Sequence, residues 1–325
     1  MQLLSPHEYI RQATAAITKA KRRVSFISMI VTEDDSTTAL IDALASAARR
    51  GVDVQVAGDM FTYAELSGQF IPAHYYSKKV RSSTRMARTL SDAGVRFYWL
   101  GRLNVTTVSG RTHSKWCVVD DTVFSFGGVN LYEVAIANTD YMFRLEDQVL
   151  ADSLCSEQQR IIKSDRNRSA YRSRTLSLGD TGTVLFDAGL FGDSIIYRRV
   201  CELTQKARKV TYVSQYCPTG KLSKYLKRTE STLYFNSWQT ADSFNRFVIR
   251  TGMLITHHTT LYARPAYLHA KCMLFEMSDG SKIAITGSHN FVHGGVLLGT
   301  REIALETKEP DVIAQLEKFI VTHVA

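Results

Sequence analysis

The chain repeats itself, and this internal duplication restricts the possible folds more than any other feature of its 325 residues. Residues 17–30 carry basic residues followed by β-branched and aromatic ones, and residues 203–216 carry the same pattern. A His-x-Lys sequence then occurs once in each half, at His113 and at His269. Each is followed by a second apolar run that ends in glycine and asparagine. Because these features recur in the same order, the sequence predicts two related halves that meet about a pseudo-twofold axis.

Capping signals and periodicity indicate α/β units in both halves. Ser5, Pro6 and Glu8 match a helix N-cap, a first-turn proline and a capping box. Apolar strands and amphipathic helices then alternate, which favours mixed, mostly parallel sheets flanked by helices. We expect helices to close at Gly94 and at Gly252, with a strand after each. The predicted fold class is α/β, with an active site at the interface of the two halves.

The junction between the halves is predicted from composition. Residues 145–164 have a helical pattern, and residues 163–175 are rich in basic side chains. We expect a first half at 1–165, a basic linker at 166–175 and a second half at 176–325. The simplest interpretation is a solvated linker, but a phosphate-binding role stays open for its four arginines: Arg166, Arg168, Arg172 and Arg174.

Charge and hydropathy exclude several classes of protein. The formal net charge of +9 favours anionic partners such as nucleic acid or acidic lipid head groups. No apolar run approaches the ~18 residues of a membrane-spanning helix, and the N-terminus lacks the pattern of a signal peptide. The five cysteines form no CxxC pair and are typical of buried thiols in a reducing compartment. We expect a cytoplasmic protein that is at most peripheral to the inner face of the membrane.

Each half offers a histidine, a lysine two positions later and an asparagine after the next strand. Alternate residues of a strand point to the same face, so the histidine and lysine of each half can enter one site. A neutral imidazole is a competent nucleophile near pH 7, and a lysine ammonium can hold a phosphate oxygen. The set that predicts phosphoryl transfer without a metal ion or cofactor has six members: His113, Lys115, Asn130, His269, Lys271 and Asn290.

These residues resemble the signature of the phospholipase D superfamily, HxKxxxxD followed by six residues and G[GS]xN. The first copy, HSKWCVVDDTVFSFGGVN, matches at every position, including Asp120 and Gly128. The second copy, HAKCMLFEMSDGSKIAITGSHN, matches with Ser288 but has Glu276 in place of the aspartate. Its connection between strands is longer, and residues 278–280 predict a hairpin turn. The resemblance implies two phospholipase D-like α/β/α halves, in which Asp120 and Glu276 support the fold more than the chemistry.

The resemblance also implies a mechanism through a covalent phosphohistidine. His113 attacks phosphorus, while His269 protonates the leaving alcohol and later takes a proton from water or an acceptor alcohol. The lysines and asparagines stabilise charge on the equatorial oxygens. The family places an acid after each asparagine to orient a histidine, which points to Asp140 and Glu302. Glu146 is a competitor for the first of these assignments.

Within the superfamily, the spacing from Asn130 through NTDYMFRLED resembles bacterial cardiolipin synthases. We therefore expect a phosphodiesterase or phosphatidyltransferase that acts on phospholipids at an anionic membrane surface. The alternative is a metal-independent DNA or RNA phosphodiesterase, which the net charge of +9 also suits. The segment 59–83 carries aromatic residues beside Lys78, Lys79 and Arg81. It forms either a phosphate-binding or surface-binding loop or a lid packed on its own core.

Overall fold

The described strands form two seven-stranded sheets. The structure is a computed structural model that describes residues 1–67, 78–101 and 110–325, except for the side chains of residues 67, 78, 79, 243 and 244. The first sheet contains β1 (Gln2–Leu4), β2 (Arg23–Ser28), β3 (Asp53–Asp59), β4 (Arg96–Leu100), β5 (Trp116–Val119), β6 (Thr122–Ser125) and β7 (Met142–Glu146). The second contains β8 (Arg174–Leu178), β9 (Gly182–Ala188), β10 (Ala207–Val213), β11 (Glu230–Tyr234), β12 (Cys272–Met277), β13 (Lys282–Gly287) and β14 (Arg301–Thr307).

Helices flank both sheets. Those that accompany the first sheet are α1 (Pro6–Lys19), α2 (Thr38–Arg49), α3 (Phe61–Ser67), α4 (Lys78–Asp92), α5 (Glu133–Ile136) and α6 (Gln148–Asn167). Those that follow are α7 (Ile195–Lys206), α8 (Gly220–Leu226), α9 (Ser243–Thr256), α10 (His293–Leu298) and α11 (Pro310–Phe319), which continues into a π-helical turn at Ile320–Val324. Among the described residues, none of the helices is both long and apolar enough to cross a bilayer.

The order of strands reproduces the duplication seen in the sequence. The first sheet has the order β1-β7-β6-β5-β2-β3-β4, and the second has β11-β10-β12-β13-β14-β9-β8. From β3 to β1 and from β11 to β9, the two orders correspond strand by strand. The α/β class and the mixed sheets flanked by helices are thus confirmed.

The expected predominance of parallel pairing is wrong. Among the described strands, only β2 with β3, β3 with β4 and β10 with β11 pair in parallel. The other pairs are antiparallel, including the successive strands β5, β6 and β7 and their counterparts β12, β13 and β14. Each half begins with a crossover unit, whose helix returns the chain for a parallel strand, and then changes to strands joined by short turns.

The N-terminal helix begins as its sequence predicts, whereas α9 ends later than expected. The backbone N–H of Ser5 donates to Glu8 Oε2 over 2.9 Å, and the Ser5 hydroxyl accepts from the Glu8 N–H, which completes the capping box. Helix α9 continues through Gly252 to Thr256 and is closed by the left-handed residue His257 (φ 54°). No strand follows before β12. A Cβ at Gly252 would lie 3.2 Å from the Cβ of Cys217, so this glycine serves close packing rather than termination.

The linker is shorter than predicted. Helix α6 continues to Asn167 and is closed by Arg168 in the left-handed region (φ 50°), and β8 already begins at Arg174. Arg174 donates to Glu157 over 2.9 Å and stacks on a phenylalanine ring, so it is a structural residue rather than a free cation. The division of the chain into halves 1–165 and 176–325 stays a prediction.

A buried apolar cluster joins the two sheets. It includes Trp116 and Phe143 from the first sheet and Phe186 and Cys272 from the second. Tyr141 lies within it, and its hydroxyl is 2.5 Å from that of Thr286 on β13. Because this cluster draws on both sheets, their mutual position is set by packed side chains, and with it the position of anything built where they meet.

Candidate active site

Each His-x-Lys sequence lies just before a central strand of its own sheet and is held by the backbone of the other. The N–H of His113 donates to the carbonyl of Arg301 over 2.8 Å. In the other half, the N–H of His269 donates to the carbonyl of Thr139 over 3.0 Å. Both acceptors directly precede the acidic residues that the sequence singled out. The backbone therefore brings each histidine beside an acid from the opposite half.

The side chains complete this crossed arrangement. Nδ1 of His113 lies 3.0 Å from Glu302 Oε2 and 3.0 Å from the carbonyl oxygen of Ser288. Nδ1 of His269 lies 2.7 Å from Asp140 Oδ2. Both histidines and both acids are buried. With Nδ1–H donating to a carboxylate, each imidazole keeps a free lone pair on Nε2, which is the arrangement that nucleophilic or base catalysis requires.

Burial sets the protonation of the four groups. It lowers the pKa of His113, and burial followed by the nearby Lys271 lowers the pKa of His269 to about 3. Burial alone would raise the pKa of Glu302, but the charge and hydrogen bond of His113 hold it down to about 2. The pKa of Asp140 is also lowered, against burial, by its hydrogen bond with His269. Near pH 7 the site thus pairs two neutral imidazoles with two carboxylates.

The two lysines lie beneath the histidines and are completely buried. Lys115 Nζ donates to the carbonyl of His113 over 2.9 Å, and Lys271 Nζ donates to that of His269 over 2.5 Å. Burial, followed by repulsion from Lys271, lowers the pKa of Lys115 to about 7. Burial lowers the pKa of Lys271 to about 8. Because the charge of Lys271 lowers the pKa of Lys115, a bound anion would offset part of the cost of burying both ammonium groups.

One cavity of about 530 Å³ opens onto this set. His113, His269, Asn130 and Asn290 all line it. The Oδ1 atoms of both asparagines are buried and accept no hydrogen bond from the described residues. Buried amides are normally satisfied, so these two are available to a molecule bound in the cavity. The structure therefore brings four of the six motif residues to the wall of one cavity, while the two lysines do not line it and bind the carbonyls of their histidines.

The glycine-rich ends of the motifs allow the acids to approach. A Cβ at Gly128 would lie 2.7 Å from Asp140 Oδ2, so only glycine fits there. The Gly128 N–H donates to this aspartate over 3.2 Å. Ser288 occupies the matching position in the second copy, and its hydroxyl donates to Glu302. Both motif positions thus hold the acid that orients a histidine, one through a backbone N–H and the other through a side chain.

The remaining acids lie away from the histidines. Asp120 accepts from the backbone N–H groups of residues 21, 22 and 23, at 2.8–3.1 Å, and so fixes the entry to β2. Glu276 on β12 forms an ion pair with Arg208 on β10. Glu146, the competitor of Asp140, binds Thr122 and Arg144 on the surface and contacts neither histidine. The assignment of Asp140 is therefore the one that the geometry supports.

The segment 59–83 is described only in part. Residues 68–77 and the side chains of Lys78 and Lys79 lie outside the described residues, and Arg81 is exposed on α4. Phe61 lines the cavity, whereas Tyr63 is buried with its ring centroid 5.0 Å from that of Trp99. The described part thus packs on its own core at Tyr63 and reaches the cavity at Phe61.

Sequence reasoning missed a further group of residues that line the same cavity. They come from α3, from the loop before α5, from the segment after β10, from the start of α9 and from the segment before β12, and they share no motif spacing. An aromatic or acidic side chain outside a motif gives no signal of its own in a single sequence. These residues are Glu65, Tyr132, Gln215, Tyr216, Asp242, Asn245 and Tyr267.

The part of the chain that carries the first copy of the motif is similar to a known family of proteins. More specifically, residues 13–162 match the family described as cardiolipin synthase, PLD-like domain. Cardiolipin synthase B of Salmonella typhimurium strain LT2 is 30% identical over 150 residues, which are 43% of this chain and 32% of that protein. Cardiolipin synthase B of Escherichia coli strain K12 is 31% identical over 166 residues, which are 47% of this chain and 36% of that protein. The chain thus spans about a third of the length of the curated relatives it matches.

Solved structures extend the similarity to the whole chain. The phosphatidylserine synthase of Haemophilus influenzae Rd KW20 superposes with a TM-score of 0.71 at 16% identity, covering 100% of this chain and 86% of that one. The polyphosphate kinase of Porphyromonas gingivalis superposes with a TM-score of 0.65 at 12% identity, covering 98% of this chain and 49% of that one. At such identities these matches show the fold alone.

Proposed function

We propose that this protein transfers or hydrolyses phosphatidyl groups of phospholipids through a covalent phosphohistidine, without a metal ion. The observation that carries the proposal is the pair of neutral imidazoles, His113 and His269, each held by an acid from the opposite half on the wall of one cavity. The match of residues 13–162 to a cardiolipin synthase domain supports a phospholipid as the substrate. The phosphodiester would bind between the two histidines and accept hydrogen bonds from the two asparagine amides, and the buried Lys115 and Lys271, which do not line the cavity, would attract it by their charge.

In the first half-reaction, Nε2 of His113 attacks phosphorus. The N–P bond forms, the P–O bond to the leaving alcohol breaks, and His269 gives that oxygen a proton. Glu302 stabilises the positive charge that develops on His113 as it attacks, because it accepts from Nδ1 of the same ring. The lysines and asparagines stabilise the charge on the equatorial oxygens, where fixed donors contribute most.

His269 must carry a proton to act as an acid, yet burial lowers its pKa to about 3. Substrate binding resolves this difficulty. A phosphodiester anion placed beside two buried lysines and two buried imidazoles favours the charged form of each and so raises their pKa values. Asp140, whose oxygen lies 2.7 Å from Nδ1, then favours the imidazolium of His269 in particular. Protonation of the acid is thereby coupled to occupation of the site.

The second half-reaction reverses the roles. Water or an acceptor alcohol enters the place of the departed alcohol, and the now neutral His269 takes its proton as the new oxygen attacks phosphorus. The new P–O bond forms and the N–P bond to His113 breaks, which restores both imidazoles. An acceptor alcohol on a second lipid would give a phosphatidyl transfer, and water would give hydrolysis.

The described lining of the cavity favours a lipid over a polynucleotide. It contains the carboxylates Glu65 and Asp242 but no lysine or arginine, although the chain as a whole carries a charge of +9. A polynucleotide brings a further phosphate at every step, and each would need a cation near the site. A phospholipid such as phosphatidylglycerol brings a single phosphate. The surplus of positive charge is then available for an anionic membrane surface.

The experiment supplies the purified protein with phosphatidylglycerol vesicles and, in parallel, with a labelled single-stranded oligonucleotide. A chelator is present throughout, and the His113→Ala variant is the control. We expect release of glycerol or formation of cardiolipin by the wild-type protein and neither by the variant. Activity that disappears with the chelator would refute the metal-independent mechanism.

Two other outcomes would redirect the proposal. Cleavage of the oligonucleotide alone, with a steep dependence on salt, would make this protein a nuclease. Inactivity on every phospholipid offered would refute the lipid substrate.

A further inference from the structure

The outer face of α9 is apolar, although a helix on the surface of a globular protein normally carries polar side chains there. Phe247, Leu254 and Ile255 are 68%, 65% and 73% exposed. Residues seven and eight positions apart lie close together around a helix, so these side chains form a stripe along α9. The inner face is packed separately, since Ile249 is completely buried. The packing of α9 on its own half therefore does not account for the outer stripe.

The same helix carries positive charge and no acid. Residues 243–275 contain neither aspartate nor glutamate, and Arg246 and Arg250 are exposed on α9. Arg246 donates to the carbonyl of Ala241 over 3.2 Å, and the guanidinium of Arg250 lies 5.2 Å from the ring centroid of the half-exposed Trp238. Neither arginine forms an ion pair with a described residue. Two such cations beside an apolar stripe fit a partner that is anionic and apolar at once.

This face of α9 begins at the opening of the cavity. Asp242 and Asn245, at the start of the helix, both line the cavity, and Asp242 is exposed. In the first half, Val134 on α5 lines the cavity as well and is 56% exposed. A side chain that lines a cavity and also reaches solvent lies at its opening. From there the 14 residues of α9 extend for about 21 Å. Exposed apolar side chains of both halves thus lie at or next to the opening.

The chemistry of this face favours one kind of partner. A second copy of the chain, bound by the same face, would bring arginines against arginines without an acid between them. A polynucleotide would use the arginines but not Leu254 and Ile255, because bases stack on aromatic rings. An anionic bilayer uses both, since its phosphates accept hydrogen bonds from arginine and its head-group boundary receives apolar side chains.

We propose that the outer face of α9 docks on an anionic lipid bilayer and thereby places the opening of the cavity against it. Phe247, Leu254 and Ile255 enter the boundary between head groups and acyl chains, and Arg246 and Arg250 bind lipid phosphates. This inference deepens the proposed function and rests on it: a phospholipid then enters the cavity directly from the bilayer.

The test measures binding separately from activity. The protein is sedimented with vesicles of phosphatidylcholine, with or without phosphatidylglycerol, and the bound fraction is determined. The variants are Leu254→Ser, the double variant Phe247→Ser/Leu254→Ser, and Arg250→Gln. Val149→Ser is the matched apolar control, because Val149 on α6 is also 65% exposed. Arg96→Gln is the matched charge control, because Arg96 is exposed and pairs with Asp53.

We expect the wild-type protein to bind more tightly when phosphatidylglycerol is present. Leu254→Ser should lower the partition coefficient by about 10-fold and the double variant by about 10²-fold, because buried apolar area is lost. Arg250→Gln should lower it by about 5-fold, and only on vesicles that contain phosphatidylglycerol. Both controls should stay within about 2-fold of wild type, and all proteins should unfold at similar temperatures.

Activity then shows whether docking feeds the cavity. On dihexanoyl phosphatidylglycerol below its micellar concentration, the double variant should keep kcat/KM within about 2-fold of wild type, because neither residue lines the cavity. On phosphatidylglycerol vesicles its activity should fall together with its binding.

Vesicle binding by the double variant that equals that of wild type, or an equal loss in Val149→Ser, would overturn the inference. A wild-type dimer that the double variant dissociates would also overturn it, because a second copy would then cover this face. The same holds if the double variant loses binding to a single-stranded oligonucleotide but not to vesicles. Inactivity on every phospholipid, with vesicle binding as expected, would refute the proposed function and leave the docking surface supported.

Discussion

Asp140 and Glu302 orient the two histidines in the same way, but the residues that hold each acid differ. The shorter acid, Asp140, is fixed by the N–H groups of Gly128 and Tyr141. The longer acid, Glu302, is fixed by the hydroxyl of Ser288. At the glycine position a backbone N–H donates the hydrogen bond to the acid, and at the serine position the side-chain hydroxyl donates it. The comparison teaches that the two halves share the position of the carboxylate, not the means of holding it.

The largest effect should come from the histidines and separates their roles. His113→Ala and His269→Ala should each lower kcat by about 10⁴-fold or more, because each removes a member of a unit that acts together. With a lipid labelled at phosphorus, His269→Ala should still acquire acid-labile label and His113→Ala should not. Label on His113→Ala instead would exchange the roles of the two halves.

The next effect tests the crossed acids. Glu302→Gln and Asp140→Asn should lower kcat by about 10²–10⁴-fold, because an amide no longer fixes the tautomer or stabilises the imidazolium. Glu146→Gln is the matched control and should keep activity within about 2-fold, since this acid binds only surface groups. A loss in the control as large as that in Asp140→Asn would contradict the geometry.

The two buried lysines should make kcat/KM depend on pH. The pKa is about 7 for Lys115 and about 8 for Lys271, so both lose their proton in the free enzyme as the pH rises through these values. Because a neutral amine holds the phosphate less well, kcat/KM should fall on the alkaline side of about pH 7–8. Lys115→Arg, which stays protonated, should move this limb to higher pH in whatever activity is left. An unmoved limb would assign it to another group.

The smallest effect concerns the acid inside each motif copy, Asp120 in the first and Glu276 in the second. Asp120→Ala should destabilise the fold by about 2 kcal/mol, because three backbone N–H groups lose a charged acceptor. Glu276→Ala should cost less than about 1 kcal/mol, since its ion pair with Arg208 is at the surface. Denaturant unfolding at pH 7 measures the loss in the free energy of unfolding for each variant. Equal losses would contradict the expectation that Asp120 stabilises its half more than Glu276 does.

The cost of Asp120→Ala should also depend on pH. Hydrogen bonds from the backbone outweigh burial and lower the pKa of Asp120 below its ordinary value. A lowered carboxyl pKa contributes stability above the unfolded pKa of about 4 and loses it as the pH falls through the folded value. The difference in the free energy of unfolding between wild type and Asp120→Ala should therefore become smaller at acidic pH. A difference that stays constant with pH would indicate that Asp120 stabilises the fold by packing instead.

The sequence could single out the motif residues because their chemistry is tied to spacing, and their catalytic roles stay a prediction. A histidine and lysine two apart in an extended segment lie on the same side of the chain, and the acids Asp140 and Glu302 follow their asparagines at similar distances. The crossing of the acids could not be predicted, since it depends on how the two sheets dock. That docking rests on contacts between distant residues, such as Tyr141 with Thr286.

Other failures have local causes. The alternation of helices and strands suggested parallel pairing throughout, but it describes only the first crossovers of each half and not the later hairpins. Gly252 resembled a helix end because a glycine needed for close packing and a glycine needed for termination are identical in sequence. Glu65 and Asp242 were missed because nothing in their spacing relates them to the histidines.

The exchange of backbone hydrogen bonds between Arg301 and His113, and between Thr139 and His269, has a consequence for assembly. In the proposed mechanism neither half contains a complete catalytic unit, because each half contributes the histidine of one His–acid pair and the acid of the other. Two separately produced fragments, cut between α6 and β8, would each be inert and would become active only on correct reassociation. Activity therefore requires the complete tertiary structure, and a partly folded or partly synthesised chain would have no reactive site.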